Sequence, residues 1–168
     1  MMLELHNISV GDRIRGLSLT VNDGQMACIS GEKGSGKTTL LRAVLGFLPL
    51  DGGHISIDGE LLTPRSARYF RKLMAYVPQY LSVPEGYTAV PTDYLQLLER
   101  AVRSEKMLLI VDEPSEVVTP EKAEAIEQLL AEATQRGATV LAITHHPSPT
   151  TQHLTPITQH LTPITLTL

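Results

Sequence analysis

The sequence predicts an α/β fold, with a mainly parallel central sheet flanked by helices and a small antiparallel β subdomain at its N-terminal side. Three observations predict it. Apolar, strand-like runs alternate with helical patterns along most of the chain, as in a parallel sheet built from crossover units. Two of those runs, Leu108-Leu109-Ile110-Val111 and Ala138-Thr139-Val140-Leu141-Ala142-Ile143, carry no charge, as expected of strands buried on both faces. The third is a glycine-rich segment, Gly31-Glu32-Lys33-Gly34-Ser35-Gly36-Lys37-Thr38, set between an apolar strand and a helix start.

Each element has a local reason. Residues 3–8 and 17–21 read as short strands. The second alternates Leu17, Leu19 and Val21 with Ser18 and Thr20, then stops at an Asn22-Asp23-Gly24 turn. Strand 25–30 runs into the glycine-rich segment, and helix 37–47 follows it, ending near Gly46 and Pro49. Residues 54–57 alternate as an edge-type strand closed by an Asp58-Gly59 turn. A basic helix over 65–73 leads into strand 74–77, which Pro78 stops. Residues 80–91 read as loop, with Pro84, Gly86 and Pro91 inside it. Thr92 is suited to cap a helix running to about Ser104, with Tyr94, Leu95, Leu98, Ala101 and Val102 on one side. Thr119-Pro120-Glu121 is a cap, proline and acid start for a helix that ends at Gly137.

Size and charge bound the function. A chain of 168 residues suits one domain with a proper core. Charged residues make up 19% and the net charge is -4, so no general affinity for nucleic acid is expected. Cys28, the single cysteine, lies in the apolar strand before the glycine-rich segment and reads as a small buried hydrophobe, which fits a reducing compartment. No basic region precedes an apolar core at the N-terminus, and no apolar run approaches a membrane span. The expectation is a cytoplasmic protein with no transmembrane segment of its own. The last stretch differs from the rest. Thr151-Gln152-His153-Leu154-Thr155-Pro156-Ile157 recurs as Thr158-Gln159-His160-Leu161-Thr162-Pro163-Ile164, too short for a solenoid. A proline in each copy argues against helix or central strand, so 148–168 reads as a mobile tail, with a docking segment as the alternative.

The glycine-rich segment is a complete phosphate-binding loop. Its glycines let backbone N–H groups curl inward, and the following helix N-terminus adds partial positive charge. Lys37 is placed to reach the β- and γ-phosphates of a nucleotide, and the Thr38 hydroxyl to ligate Mg²⁺. A metal–nucleotide site next needs an acid at the end of an apolar strand. Residues 108–114 supply Asp112 to hold Mg²⁺ and, one residue on, Glu113 to polarise an attacking water. Alone, that acid pair would read as a solvated turn. Ile143-Thr144-His145-His146 ends the next strand, and a histidine there either touches the γ-phosphate and water or is a polar loop residue. Adjacent histidines make a poor chelate. Gln79, after Tyr76-Val77-Pro78, is placed to reach Mg²⁺ or water.

Together these residues resemble the ATP-binding cassette (ABC) ATPases, the nucleotide-binding subunits of ABC transporters and their soluble relatives. The carriers are residues 31–59, Tyr76-Val77-Pro78-Gln79, residues 108–114 and residues 143–146. The resemblance implies a P-loop NTPase fold over 1–147, with Gly31, Glu32, Lys33, Gly34, Ser35, Gly36, Lys37, Thr38 and Thr39 binding ATP and Mg²⁺. It makes Gln79 the Q-loop glutamine, Asp112 the Mg²⁺-associated acid, Glu113 the catalytic glutamate and His145 the switch histidine. It also implies a second ATP-binding subunit and a membrane permease as partners, with the protein peripheral on the inner face of the membrane.

The departures are specific. The family's LSGGQ-type signature is absent, and its usual spacing falls on Thr88-Ala89-Val90-Pro91-Thr92. The interval from Gln79 to Asp112 is several tens of residues shorter than the family's, which implies a reduced helical subdomain near 80–104. Val10-Gly11-Asp12-Arg13 stands where a stacking aromatic is expected, and Ser115-Glu116-Val117-Val118-Thr119 where the D-loop is expected. Donors supplied in trans to phosphoryl transfer are worth on the order of 10³–10⁵ in rate. A homodimer of this chain would lack the signature's donors, so the expectation is ATP hydrolysis that is slow without a partner subunit. The alternatives are a nucleotide-binding regulatory module with little or no turnover, and a decayed cassette.

Overall fold

The computed structural model describes residues 1–31, 34–79, 93–112 and 119–144. They form two four-stranded sheets, one antiparallel and one parallel, and four helices. The segments expected to hold the signature, most of the D-loop and the duplicated tail lie outside the described residues.

The antiparallel sheet contains β1 (Leu3–Val10), β2 (Ile14–Val21), β4 (Gly52–Ile57) and β5 (Glu60–Leu61), in the order β2-β1-β4-β5. Strands β1 and β2 pair with Leu3 opposite Val21 and Leu5 opposite Leu19, so their apolar residues share the buried face. A bulge interrupts β1, where Asn7 has φ 47° in the left-handed region that asparagine tolerates. The backbone of β4 closes tightly on that bulge: a Cβ on Gly53 would lie 2.3 Å from both the His6 and Asn7 carbonyl oxygens. Only glycine fits there. The expected Asp58-Gly59 turn is present, both residues having positive φ as a two-residue hairpin turn requires. The edge position expected of 54–57 is corrected: β4 lies inside the sheet, and the short β5 that returns from the turn takes the edge.

The parallel sheet contains β3 (Met26–Ser30), β6 (Met74–Val77), β7 (Leu108–Asp112) and β8 (Thr139–Thr144), in the order β3-β8-β7-β6. Both faces are covered, which explains the charge-free strands. Ile29, Met74, Leu108, Ile110, Leu141 and Ile143 point into one cluster with the antiparallel sheet, helix α1 (Lys37–Val44) and Phe70 of α2 (Ala67–Leu73). Met26, Val77, Leu109, Val111, Val140 and Ala142 point into the other. There they meet Leu98 and Val102 of α3 (Tyr94–Arg103) and Ile126, Leu130 and Ala133 of α4 (Pro120–Gln135).

The helix bounds are shorter than the patterns suggest. α1 stops at Val44 because Gly46 takes a left-handed φ of 70°. α2 begins two residues later than expected, after Thr63 and Ser66 tie their hydroxyls and backbone into a local turn. Asp93 takes the N-cap position of α3 without a side-chain capping hydrogen bond, and Thr92 lies outside the described residues. The N-terminal position of α4 is as expected, with Thr119 as N-cap and Pro120 first in the helix.

Candidate functional site

In a parallel sheet every strand ends at the same edge, and ligands bind in the crevice beyond it. Here that edge gathers the segment after β3, residue Gln79 two positions after β6, Asp112 closing β7, and the end of β8 that His145 follows. The described candidate residues are thereby brought to one side of the sheet. β3 and β7 are separated only by β8, hence by about 10 Å. Glu32, Lys33, Glu113 and His145 lie outside the described residues.

The loop after β3 turns into α1 through two left-handed glycines, Gly34 at φ 87° and Gly36 at φ 95°. Gly36 is the N-cap, so the first turn of α1 brings to the loop N–H groups that have no carbonyl partner within the helix. Lys37 opens the helix and is only 7% exposed. Its ammonium donates to the Gly31 carbonyl and lies 3.5 Å from the Ser35 hydroxyl, spanning the loop from start to end. Thr38 is exposed and Thr39 half-buried on the same first turn. β2 packs against this loop: a Cβ on Gly36 would lie 3.0 Å from the Arg13 Cβ and 3.4 Å from the Ile14 Cγ1. Beside it opens a cavity of about 250 Å³ lined by Ile14, Gly16, Ser18, Ser30, Ser35 and Lys37, among others. That is below the roughly 300–1,000 Å³ of a whole ligand pocket, so it suits part of a nucleotide.

Asp112 is the second buried charge, 8% exposed. Alternation puts its side chain on the face of β7 that Ile110 uses, and Tyr76 stands opposite Ile110 on β6. The Tyr76 hydroxyl lies 3.4 Å from the Asp112 Oδ2. From the other face of the sheet, the Tyr94 hydroxyl of α3 lies 3.4 Å from the Asp112 main-chain oxygen. Burial raises the proton affinity of Asp112 above the usual carboxylate range, and the Tyr76 hydrogen bond and the Lys37 charge oppose it. Burial first, then the Asp112 charge and hydrogen bond, push Tyr76 up to about 12, against the opposing charge of Arg42. Tyr94 is raised for the same leading reason, followed by the charges of Asp112 and Tyr76.

The donor set fits a hard divalent cation. A buried carboxylate whose proton affinity is raised by desolvation lacks a full countercharge. Among the described residues no three His, Cys, Asp or Glu side chains converge as a self-sufficient metal site. A cation here would rest on one carboxylate, hydroxyl or amide oxygens, water and phosphate, the mixture Mg²⁺ prefers. The contacts of Tyr76 and Tyr94 with Asp112 were not readable in the sequence. The only available signal was their place, one before the Val77-Pro78-Gln79 strand end and one at the start of a helix.

The ABC transporter family model matches residues 14–139. Nod factor export ATP-binding protein I of Rhizobium sp. (strain N33) is 27% identical, over 82% of this chain and 60% of its own length. Spermidine/putrescine import ATP-binding protein PotA of Haemophilus ducreyi is 31% identical, over 78% of this chain and 33% of that protein. Vitamin B12 import ATP-binding protein BtuD of Yersinia enterocolitica is 37% identical, over 60% of this chain and 39% of that protein. The chain thus spans about 60% or less of these relatives' lengths. Among solved structures, an ATP-binding subunit of an ABC transporter superposes with a TM-score of 0.71 at 21% identity, covering 92% of this chain and 83% of that one. A nucleotide-free ATP-binding cassette from an ABC transporter gives 0.67 at 17%, covering 91% and 84%. At these identities the likeness establishes the fold.

Proposed function

This chain belongs to the ABC transporter family through its match over residues 14–139, and on that footing we propose that it binds Mg-ATP and hydrolyses it as the ATP-binding subunit of a transporter. One observation carries the reading. A buried lysine at a helix N-terminus, bent across a left-handed glycine loop, shares the sheet's carboxyl edge with a buried acid whose ionisation it favours.

The roles follow from chemistry. Lys37 and the N–H groups of the loop and first turn neutralise and orient the β- and γ-phosphates. The nucleotide-binding set is Gly31, Glu32, Lys33, Gly34, Ser35, Gly36, Lys37, Thr38 and Thr39. Thr38, Gln79 and Asp112 hold Mg²⁺, which when bound draws charge from the phosphate oxygens. Glu113 accepts a hydrogen bond from the attacking water and takes its proton, while His145 contacts the γ-phosphate. The water oxygen bonds to the γ-phosphorus as the bond to the β–γ bridging oxygen breaks, releasing ADP and inorganic phosphate.

The partners are a membrane permease and a second ATP-binding subunit that supplies a signature in trans. Relatives named for import and export support the first partner, and the missing signature motivates the second. Among the described residues no helix is long and apolar enough to cross a membrane, so the attachment proposed is peripheral, on the cytoplasmic face.

The test measures ATP affinity and turnover for wild type, Lys37→Ala and Glu113→Gln, with and without a signature-bearing subunit. Lys37→Ala should abolish binding, and Glu113→Gln should keep binding and lose turnover. Tight Mg-ATP binding with no turnover under any pairing would replace this reading with a regulatory module.

A further inference from the structure

Asp112 is held from both faces of the parallel sheet by two tyrosine hydroxyls, and the two contacts differ in kind. Tyr94 reaches the main-chain oxygen and so ties the end of β7 to α3. Tyr76 reaches one carboxylate oxygen, Oδ2, and so restricts the rotation of the side chain itself. No other hydrogen bond to that carboxylate comes from the described residues, which leaves Oδ1 for a cation. Packing does not force the Tyr76 hydroxyl into this position. The residue is 43% exposed, and its hydroxyl has water as an alternative partner.

We propose that Tyr76 is a positioning residue for the metal-binding carboxylate: its hydroxyl holds Oδ2 of Asp112 so that Oδ1 is presented to the Mg²⁺ that accompanies ATP. The inference rests on the Mg-ATP reading above and adds to it a residue that acts through Asp112. A carboxylate fixed in one rotamer loses less freedom when it binds a cation. Removing the hydroxyl gives up that restriction without opening a cavity, because the ring remains.

The test compares the dissociation constant for ATP in excess Mg²⁺ with that in EDTA, using the full chain. The ratio of the EDTA value to the Mg²⁺ value isolates what the cation adds. For Tyr76→Phe the expectation is an unchanged affinity in EDTA, a metal-free melting temperature within about a degree of wild type, and a ratio lowered by roughly three- to tenfold, about what immobilising one side chain costs. Tyr94→Phe removes a hydroxyl that touches only backbone and leaves the carboxylate rotamer fixed, so it should leave the ratio within about twofold. A wild-type ratio above one that Tyr76→Phe leaves unchanged or raises overturns the inference alone. So does an equal fall in Tyr94→Phe, which would mean that the strand end has merely loosened. A wild-type ratio of one overturns the metal reading and this inference together.

Discussion

The loop geometry predicts that alanine at two neighbouring glycines will have unequal effects. Gly34 and Gly36 both have strongly positive φ, 87° and 95°, so alanine at either meets the same backbone penalty, about 1–2 kcal/mol. Their surroundings differ. A Cβ on Gly34 meets nothing within 4 Å, whereas one on Gly36 lies 3.0 Å from the Arg13 Cβ and 3.4 Å from the Ile14 Cγ1. Arg13 is exposed, but its Cβ is fixed to the backbone of the turn before β2, so relief requires that turn or the start of α1 to move. Crowding of this kind adds roughly 1–3 kcal/mol. Gly34→Ala should therefore cost about 1–2 kcal/mol and Gly36→Ala about 2–5, each kilocalorie lowering the melting temperature of a chain this size by roughly 2–4 °C. The assay is thermal unfolding of both variants without nucleotide, followed by ATP titration of each. Displacing the N-terminus of α1 should also weaken ATP binding more in Gly36→Ala, because Lys37 begins that helix. Equal losses of stability in the two variants would refute the packing of β2 against the loop.

Three further outcomes follow from burial and charge. Asp112→Asn should raise the metal-free melting temperature by a few degrees at neutral pH while abolishing the Mg²⁺ dependence of ATP binding. The sign follows from the raised proton affinity of folded Asp112: its cost to stability is absent below the unfolded value of 3.8 and grows as pH rises through the higher folded value. The gain from Asp112→Asn, followed by thermal melts across pH, should accordingly vanish towards pH 3. Burial pushes the Cys28 thiol up to about 11, so at pH 8 only about 0.1% is thiolate, against roughly a quarter of a free thiol. Iodoacetamide should label it at least a hundredfold more slowly in the native protein than in denaturant, followed by mass spectrometry. Arg71→Ala should cost roughly 1–2 kcal/mol in denaturant unfolding, because the guanidinium donates to the Leu45 carbonyl at 3.1 Å and stacks 4.7 Å above the Phe47 ring.

The parts of the fold that sequence made legible are those governed by short-range rules. The strand before the loop, the helix after it, the Asp58-Gly59 turn and the charge-free strands β7 and β8 each follow from a few adjacent residues. The place of β4 inside its sheet did not, because its alternating pattern reports one buried face and is silent on how many neighbours it pairs with. β5 is only two residues long and leaves no pattern at all. At the site, the loop was readable because its chemistry is consecutive in the chain. The approach of Tyr76 and Tyr94 to Asp112 was not, since it depends on β6 lying beside β7 and on α3 crossing the opposite face. The contact of Arg13 with Gly36 is hidden for the same reason, the two residues meeting only once β2 is laid against α1.

The local rules that this sequence breaks are broken most densely at one edge. Of the residues that the structure describes, the buried charged side chains are Lys37 and Asp112, and both stand at the carboxyl end of the parallel sheet. Burying a charge costs free energy unless a partner offsets it. Lys37 donates to the Gly31 carbonyl and lies near the Ser35 hydroxyl, and Asp112 is met by the Tyr76 hydroxyl and feels the Lys37 charge. Two left-handed glycines add backbone entropy lost on folding. A fold selected for stability alone would have placed apolar side chains at both buried positions. A bound cation would offset the desolvation of Asp112, and a bound anion would meet the Lys37 ammonium, so a ligand carrying both charges should bind this edge more tightly than a simple anion.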